Sequence, residues 1–305
     1  MRVFWTVALM VVLVLAAGLG FAWWYDRTGQ HSDPDFDTRV SSPVYPPGVG
    51  TRHPKVLMDE AHRNFHTAAG RYKPFAGLLR NDGYIVSSNQ QPFAADTLND
   101  VDVLVIADAT GPGDHEARPA FTPEEEAVLV QWVRAGGSLF LISDHAPFGS
   151  AVARLARQFG VIMHLRFARD DHFHEGWDNE RLVFSRQNGL LAQNAITNGR
   201  SMSEQVNRVV TFTGQSLSGP PGLIPLLCLS DDAYDWESRK IRFPAKGHFQ
   251  ALALNFEKGR LVVSGEAALF SAQVDPLGIK FGMNRGDNDD RRFLLNILHW
   301  LSRAI

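Results

Sequence analysis

The chain has 305 residues, 45% hydrophobic and 21% charged, which is the composition of a folded globular protein and excludes a disordered or fibrous one. A net charge of -3 with no long basic run speaks against a surface that neutralises many phosphates, so nucleic acid is not an expected partner. The single cysteine, Cys228, excludes an intrachain disulfide, and its apolar neighbours Leu226, Leu227 and Leu229 mark a buried strand rather than a thiol nucleophile.

Residues 3–24, from Val3 to Trp24, carry no formal charge and match the ~20 residues that cross a bilayer as a helix. Arg2 precedes this run, and Trp23, Trp24 and Tyr25 resemble an interfacial aromatic belt. The reading preferred is a retained transmembrane helix in the lipid bilayer, single pass, with the rest on the extracytoplasmic side. A cleaved signal peptide is the alternative, since Ala16, Ala17 and Gly18 supply small residues. Residues 26–52 are rich in Asp, Ser, Thr, Gly and Pro and read as a flexible tether. The folded domain is expected over residues 53–305.

Within it, short apolar runs at 55–58, 84–87 and 101–107 alternate with helix-like stretches, the pattern of a parallel sheet covered on both faces. The clearest helix spans 123–134. Thr122 caps it, Glu125 completes a capping box, Pro123 takes the first position and Gly136-Gly137 stops it. A strand at 138–143, a helix at 150–159 and a strand at 161–165 follow. From Arg166 to Arg208 the chain is polar and aperiodic. Strand-like runs return at 209–212, 226–229, 249–254 and 261–264, and a helix over 290–301 presents Phe293, Leu294, Ile297 and Trp300 on one face. The fold class expected is α/β, one doubly wound, mostly parallel sheet with an inserted region.

In such a sheet ligands bind outside the carboxyl ends of the strands. Polar groups fall just after four runs: Asp59, Glu60, His62 and His66; Asp108; Asp144 and His145; and Glu266. His62 and His66 are four apart, so one helical turn would set both imidazoles toward a divalent metal; the plainer reading is loop histidines bonded to backbone. Asp144 and His145 fit a general base and its neighbour, or a helix cap beside Pro147 and Gly149. Asp59 and Glu60 either meet a ligand, with Asn64, or pair with Arg71 or Arg80. Glu266 follows Gly265, which permits close backbone approach. Residues 170–175 read as a solvated loop or a lid, and Trp177 and Trp236, in polar loops, as candidate saccharide platforms, while Trp132 and Trp300 sit in helical stripes and read as core. Ser143 lacks a Gly-x-Ser-x-Gly elbow, and no phosphate-binding glycine loop follows any strand.

Taken with the order of elements, the motifs Asp59-Glu60-Ala61-His62, Asn64-Phe65-His66-Thr67, Gly70-Arg71-Tyr72, Gly136-Gly137-Ser138-Leu139, the run from Ser143 to Gly149 and Gly265-Glu266-Ala267-Ala268 resemble the class I glutamine amidotransferase-like superfamily. More narrowly, they resemble its membrane-anchored DUF4350-type group, related to gliding-motility, ABC-transporter-associated and intraflagellar-transport versions. The resemblance implies a flavodoxin-like sheet and includes many non-catalytic relatives. Glutaminases carry a cysteine in a Gly-x-Cys-x-Gly turn where this chain reads Ser143-Asp144-His145, so glutamine hydrolysis is not expected. Two functions follow. One is a crevice binding a small polar ligand, with Asp144, His145 and Glu266 as catalytic groups, Asp59, Glu60 and Asn64 as ligand contacts and His62 and His66 on a divalent metal, in a hydrolase. The other is a non-catalytic scaffold or sensor for an envelope or transporter partner.

Overall fold

The computed structural model describes residues 29–48, 50, 52–112, 118–176, 179–238 and 241–305. The apolar run 3–24 lies outside the described residues, and among the described residues no helix is long and apolar enough to cross a membrane.

Strands β1 (Lys55–Asp59), β2 (Ile85–Asn89), β3 (Val103–Ala107) and β4 (Ser138–Ile142) are linked through helices α1 (Lys73–Asn81) and α2 (Pro123–Ala135). They pair in parallel in the order β2-β1-β3-β4. Every residue of β3 and β4 is buried, as strands covered on both faces require. The two-residue period assigns each face. Val103, Val105 and Ala107, with Phe140 and Ile142, meet a core completed by α1 and the C-terminal helix. Leu104 and Ile106, with Leu139 and Leu141, meet a second core under α2 and α3 (Phe148–Gln158). Helix α2 starts as its sequence demands: Thr122 accepts from the Glu125 amide and Glu125 accepts from the Thr122 amide. It stops at Gly136, whose φ of 126° lies in the region glycine favours.

The other half of the sheet departs from a mostly parallel arrangement. Strands β5 (Ile162–Met163), β6 (Leu217–Ser218), β7 (Ile224–Cys228), β8 (Phe249–Phe256) and β9 (Gly259–Ser264) complete the order β2-β1-β3-β4-β9-β8-β6-β5, with β7 also pairing β8. β9 continues the parallel set beside β4, whereas every pairing from β8 outward is antiparallel. The reason is local. Only Glu257 and Lys258 join β8 to β9, with Glu257 at a φ of 51°, and a connection that short makes a hairpin and no parallel crossover. The sheet is therefore mixed, parallel across five strands and antiparallel beyond.

Two further readings change. The helix α4 (Asp290–Leu301) buries ten of its residues, not one face, because the polar stretch after Arg166 wraps it. Asn296 Nδ2 donates to the carbonyls of Ile196 and Glu204, and Asp290 accepts from the Val210 amide. The segment read as a tether is also part of the domain from His31 onward. Residues His31–Ser32 pair with Ala272–Val274, and Phe36, Val40, Val44 and Tyr45 pack on the main core. Isolated apolar residues among prolines and glycines have no periodicity, yet each finds a socket.

Candidate functional site

The carboxyl ends of β1, β3, β4 and β9 form one rim. At β1, Asp59 is buried and holds His62 Nδ1 at 2.9 Å, while His62 Nε2 sits 2.9 Å from Glu125 Oε1. Phe93 stacks on the imidazole at 4.9 Å and Phe121 meets it edge-on at 4.6 Å. Burial lowers the His62 pKa, but Asp59 and Glu125 outweigh it, so the net shift is upward. With a carboxylate on each nitrogen, His62 braces the β1 loop to the start of α2. A metal on this ring would have to displace one of those acids.

His66 lies in a different setting. Its ring stacks on Tyr72 at 4.4 Å, its Nε2 is 3.3 Å from Asp108 Oδ2, and its Nδ1 is buried without a hydrogen-bond partner. His62 and His66 thus face separate acids and do not converge on one point.

Asp108, directly after β3, has a φ of 46°, a left-handed conformation that aspartate tolerates better than most residues. Its Oδ1 accepts from the Asp144 amide at 2.9 Å, while Oδ2 has no hydrogen-bond partner. Asp144, after β4, repeats the device: its Oδ1 accepts from the Ala267 amide at 2.8 Å in the loop after β9. Glu266 closes the series by accepting from the Ala268 and Leu269 amides at 2.7 and 2.8 Å. Tyr72 donates its hydroxyl to the Ala267 carbonyl at 2.8 Å. Asp108 and Asp144 thereby latch three adjacent strand-end loops together, and Glu266 folds the last of them.

Their proximity shows in their acidity. Desolvation, then the charges of Asp108 and Glu266, hold the Asp144 carboxyl well above the usual range. Glu266 is pushed up to about 8 by burial, opposed by the Leu269 and Ala268 amides and reinforced by Asp108. Glu266 therefore retains its proton at neutral pH, and the cluster is short of positive charge.

The remaining expected residues frame this cluster. Glu60 pairs with neither Arg71 nor Arg80; it accepts from the Ala68 amide, Ser88 Oγ and Gln90 Nε2. Asn64 accepts from the His62 amide and donates to the Ala107 carbonyl, tying β1's loop to β3. His145 lies on Phe167 with ring centroids 3.9 Å apart. Its Nδ1 is 2.7 Å from the Ala146 carbonyl, which places the proton on Nδ1 and leaves Nε2 a lone pair; burial lowers its pKa. Gly265 makes the close approach its sequence suggests, since a Cβ there would lie 2.4 Å from the Gln215 carbonyl oxygen. Residues 170–175 are pinned, with Asp170 accepting from the His172 and Phe173 amides and Glu175 paired with Arg208 and Arg285. Trp177 lies outside the described residues, and Arg169 covers the Trp236 ring at 3.9 Å.

Three participants were not singled out by sequence reasoning as partners. Glu125 carried a capping-box signal that accounted for it fully, Tyr72 lay in a glycine-flanked motif, and Asp108 was noted only as a lone acid after a strand. Cys228 sits in β7, and burial raises its thiol pKa, which suits a packing role.

No family model and no curated protein matches the chain. Among solved structures, the mmIFT52 N-terminal domain is similar at 14% identity over 81% of this chain and 97% of that one, with a TM-score of 0.59. At that identity the likeness is one of fold. A cytoplasmic protein from Salmonella typhimurium (13% identity, 81% of this chain and 98% of that chain, TM-score 0.48) and a ThuA-like protein from Bacteroides uniformis (14%, 88% and 95%, TM-score 0.45) are more loosely similar.

Proposed function

We propose that this chain is a membrane-anchored, extracytoplasmic domain of the DUF4350-type, amidotransferase-like group that binds a small polar ligand at the rim of its sheet and hydrolyses it. The observation that carries the reading is the meeting of Asp108, Asp144 and Glu266 from loops after β3, β4 and β9, with His66 beside them. Acids that keep protons at neutral pH suit general acid–base transfer. Asp144 is the proton-transferring group, His145 offers a neutral imidazole next to it, and Glu266 sets the loop whose Ala267 amide holds Asp144. Asp59, Glu60 and Asn64 shape the wall behind them. Because the three acids outnumber the two imidazoles, His66 and His145, the ligand is neutral or cationic; an anion would meet repulsion. The anchoring part rests on residues 3–24.

A non-catalytic scaffold or sensor is the second reading, favoured by the fact that Asp108, Asp144 and Glu266 each accept a loop amide. Thermal-shift screening of the full chain against neutral and cationic metabolites separates the two. Compounds that stabilise the wild type should lose that effect in Asp144→Asn, which keeps the Oδ1 acceptor and removes the proton chemistry. Equal stabilisation of both proteins would refute a role for Asp144, and turnover absent in both would leave the scaffold.

A further inference from the structure

Away from the acid rim, the antiparallel half of the sheet gathers two histidines and an aspartate. Met163, Leu217 and Phe249 are cross-strand partners on β5, β6 and β8 and face the second core. The two-residue period then sends their neighbours His164, Ser216, Ser218 and His248 to the opposite face. The strand Tyr234–Ser238 brings Asp235 over that face. Each of His164, Asp235 and His248 offers a ligand atom, and these atoms lie within 4.8 Å of one another.

We propose that His164, Asp235 and His248 form a binding site for a divalent transition-metal ion of the zinc type. Two imidazole nitrogens and one carboxylate oxygen are a donor set that such ions favour over calcium or magnesium. Asp235 is 2% exposed, and its Oδ1 is buried without any hydrogen-bond partner, an orphan that an ion would satisfy. Its Oδ2 accepts from Ser216 Oγ at 2.9 Å and lies 4.0 Å from His248 Nδ1. Donors on a tetrahedral zinc lie about 3.3 Å apart given bonds of about 2.0–2.1 Å, so the gap closes by less than about 1 Å. The imidazoles stack with centroids 4.1 Å apart, and His164 Nε2 meets Ser218 Oγ at 3.1 Å. Arg166, the nearby cation, is drawn off by Glu237 at 3.6 Å.

Ser216 is the supporting residue through the bond its hydroxyl donates to Asp235 Oδ2, and its contact with His248 Nδ1 at 3.1 Å is the one the ion would replace. Three protein ligands leave a fourth position for water or substrate, the arrangement of catalytic rather than purely structural zinc. The site stands at the same end of the sheet as the acids: Gln215, next to Ser216, donates from Nε2 to the Ser143 and Asp144 carbonyls. It depends on none of the rim carboxylates.

The test uses the untagged full-length chain, stripped with chelator and titrated with Co²⁺ and Zn²⁺. The wild type should take up one equivalent, with a visible cobalt band and a metal-dependent rise in melting temperature. His248→Ala should abolish the band. Ser216→Ala, which leaves all three ligands in place, should weaken affinity roughly 10–100-fold, as loss of a supporting hydrogen bond does. Metal-free melting temperatures verify that each variant folds, and if His248→Ala fails to fold, Ser216→Ala and His164→Gln carry the test. A wild type that binds no cobalt, or binding unchanged in both Ser216→Ala and a folded ligand variant, overturns the proposal.

Discussion

Replacing Glu266 by glutamine should make the protein gain stability on the wild type as pH rises. Glu266 is fully buried, and its folded pKa stands at about 8 against an ordinary 4.5. The folded state therefore holds the proton longer than the unfolded state. Its contribution is intact below the ordinary value and is lost as pH rises through about 8. At roughly 1.4 kcal/mol per pH unit, ionisation costs roughly 1 kcal/mol at pH ~5.5 and roughly 4–5 kcal/mol at pH ~8.5. The wild type should lose about 3 kcal/mol across that window from this residue, roughly 6 °C or more in melting temperature. The wild type uses Oε1 for the Ala268 amide and Oε2 for the Leu269 amide, so the single glutamine oxygen keeps one of these bonds while the buried charge disappears. Urea unfolding of both proteins at the two pH values reads the difference directly. A wild-type curve parallel to that of Glu266→Gln, with no divergence toward alkaline pH, would refute the reasoning.

Two other outcomes follow from the same geometry. His62→Ala leaves Asp59 and Glu125 facing each other without their shared cation, and should destabilise the fold by about 3–5 kcal/mol in denaturant unfolding. The His62 pKa is raised, so its brace is fully present below the ordinary 6.5 and is lost as pH rises through the folded value; the penalty of His62→Ala should shrink toward alkaline pH. Thr122→Ala removes one arm of the α2 capping box and should cost about 1 kcal/mol, with no change in the dependence on denaturant.

The parallel half of the fold was legible because β3 and β4 are continuous apolar runs bounded by helices with readable caps. The antiparallel half was not, because β5 and β6 are two residues each and display no period at all. The polar stretch after Arg166 looked structureless for a related reason: it covers α4 partly through polar groups such as Asn296, and hydrogen-bonding partners leave no hydrophobic rhythm. At the site, the rule about strand ends picked out positions, since Asp59, Asp108, Asp144 and Glu266 each end or follow a strand. It did not pick out partners. His62 meets Glu125 from α2, whose sequence role was already filled by Thr122. His164, Asp235 and His248 come from three separate strands with no motif spacing to betray them.

The rim carboxylates also bear on which functional reading the physics favours. A latch needs only acceptors, and a glutamine at 266 would still offer one to either amide without a buried charge. A glutamate there costs several kcal/mol at alkaline pH, a large share of the roughly 5–15 kcal/mol that holds a domain folded. That cost attaches to the proton and not to the latch. Asp144 adds to it, since its pKa is raised by burial and by two acids that the loops bring toward it. Asp144 and Glu266, whose carboxyl pKa values are both raised, suit the proposed proton transfer in a way that two amides would not. Loss of turnover in Asp144→Asn with the loop geometry retained is the signature that separates this chemistry from a purely structural latch.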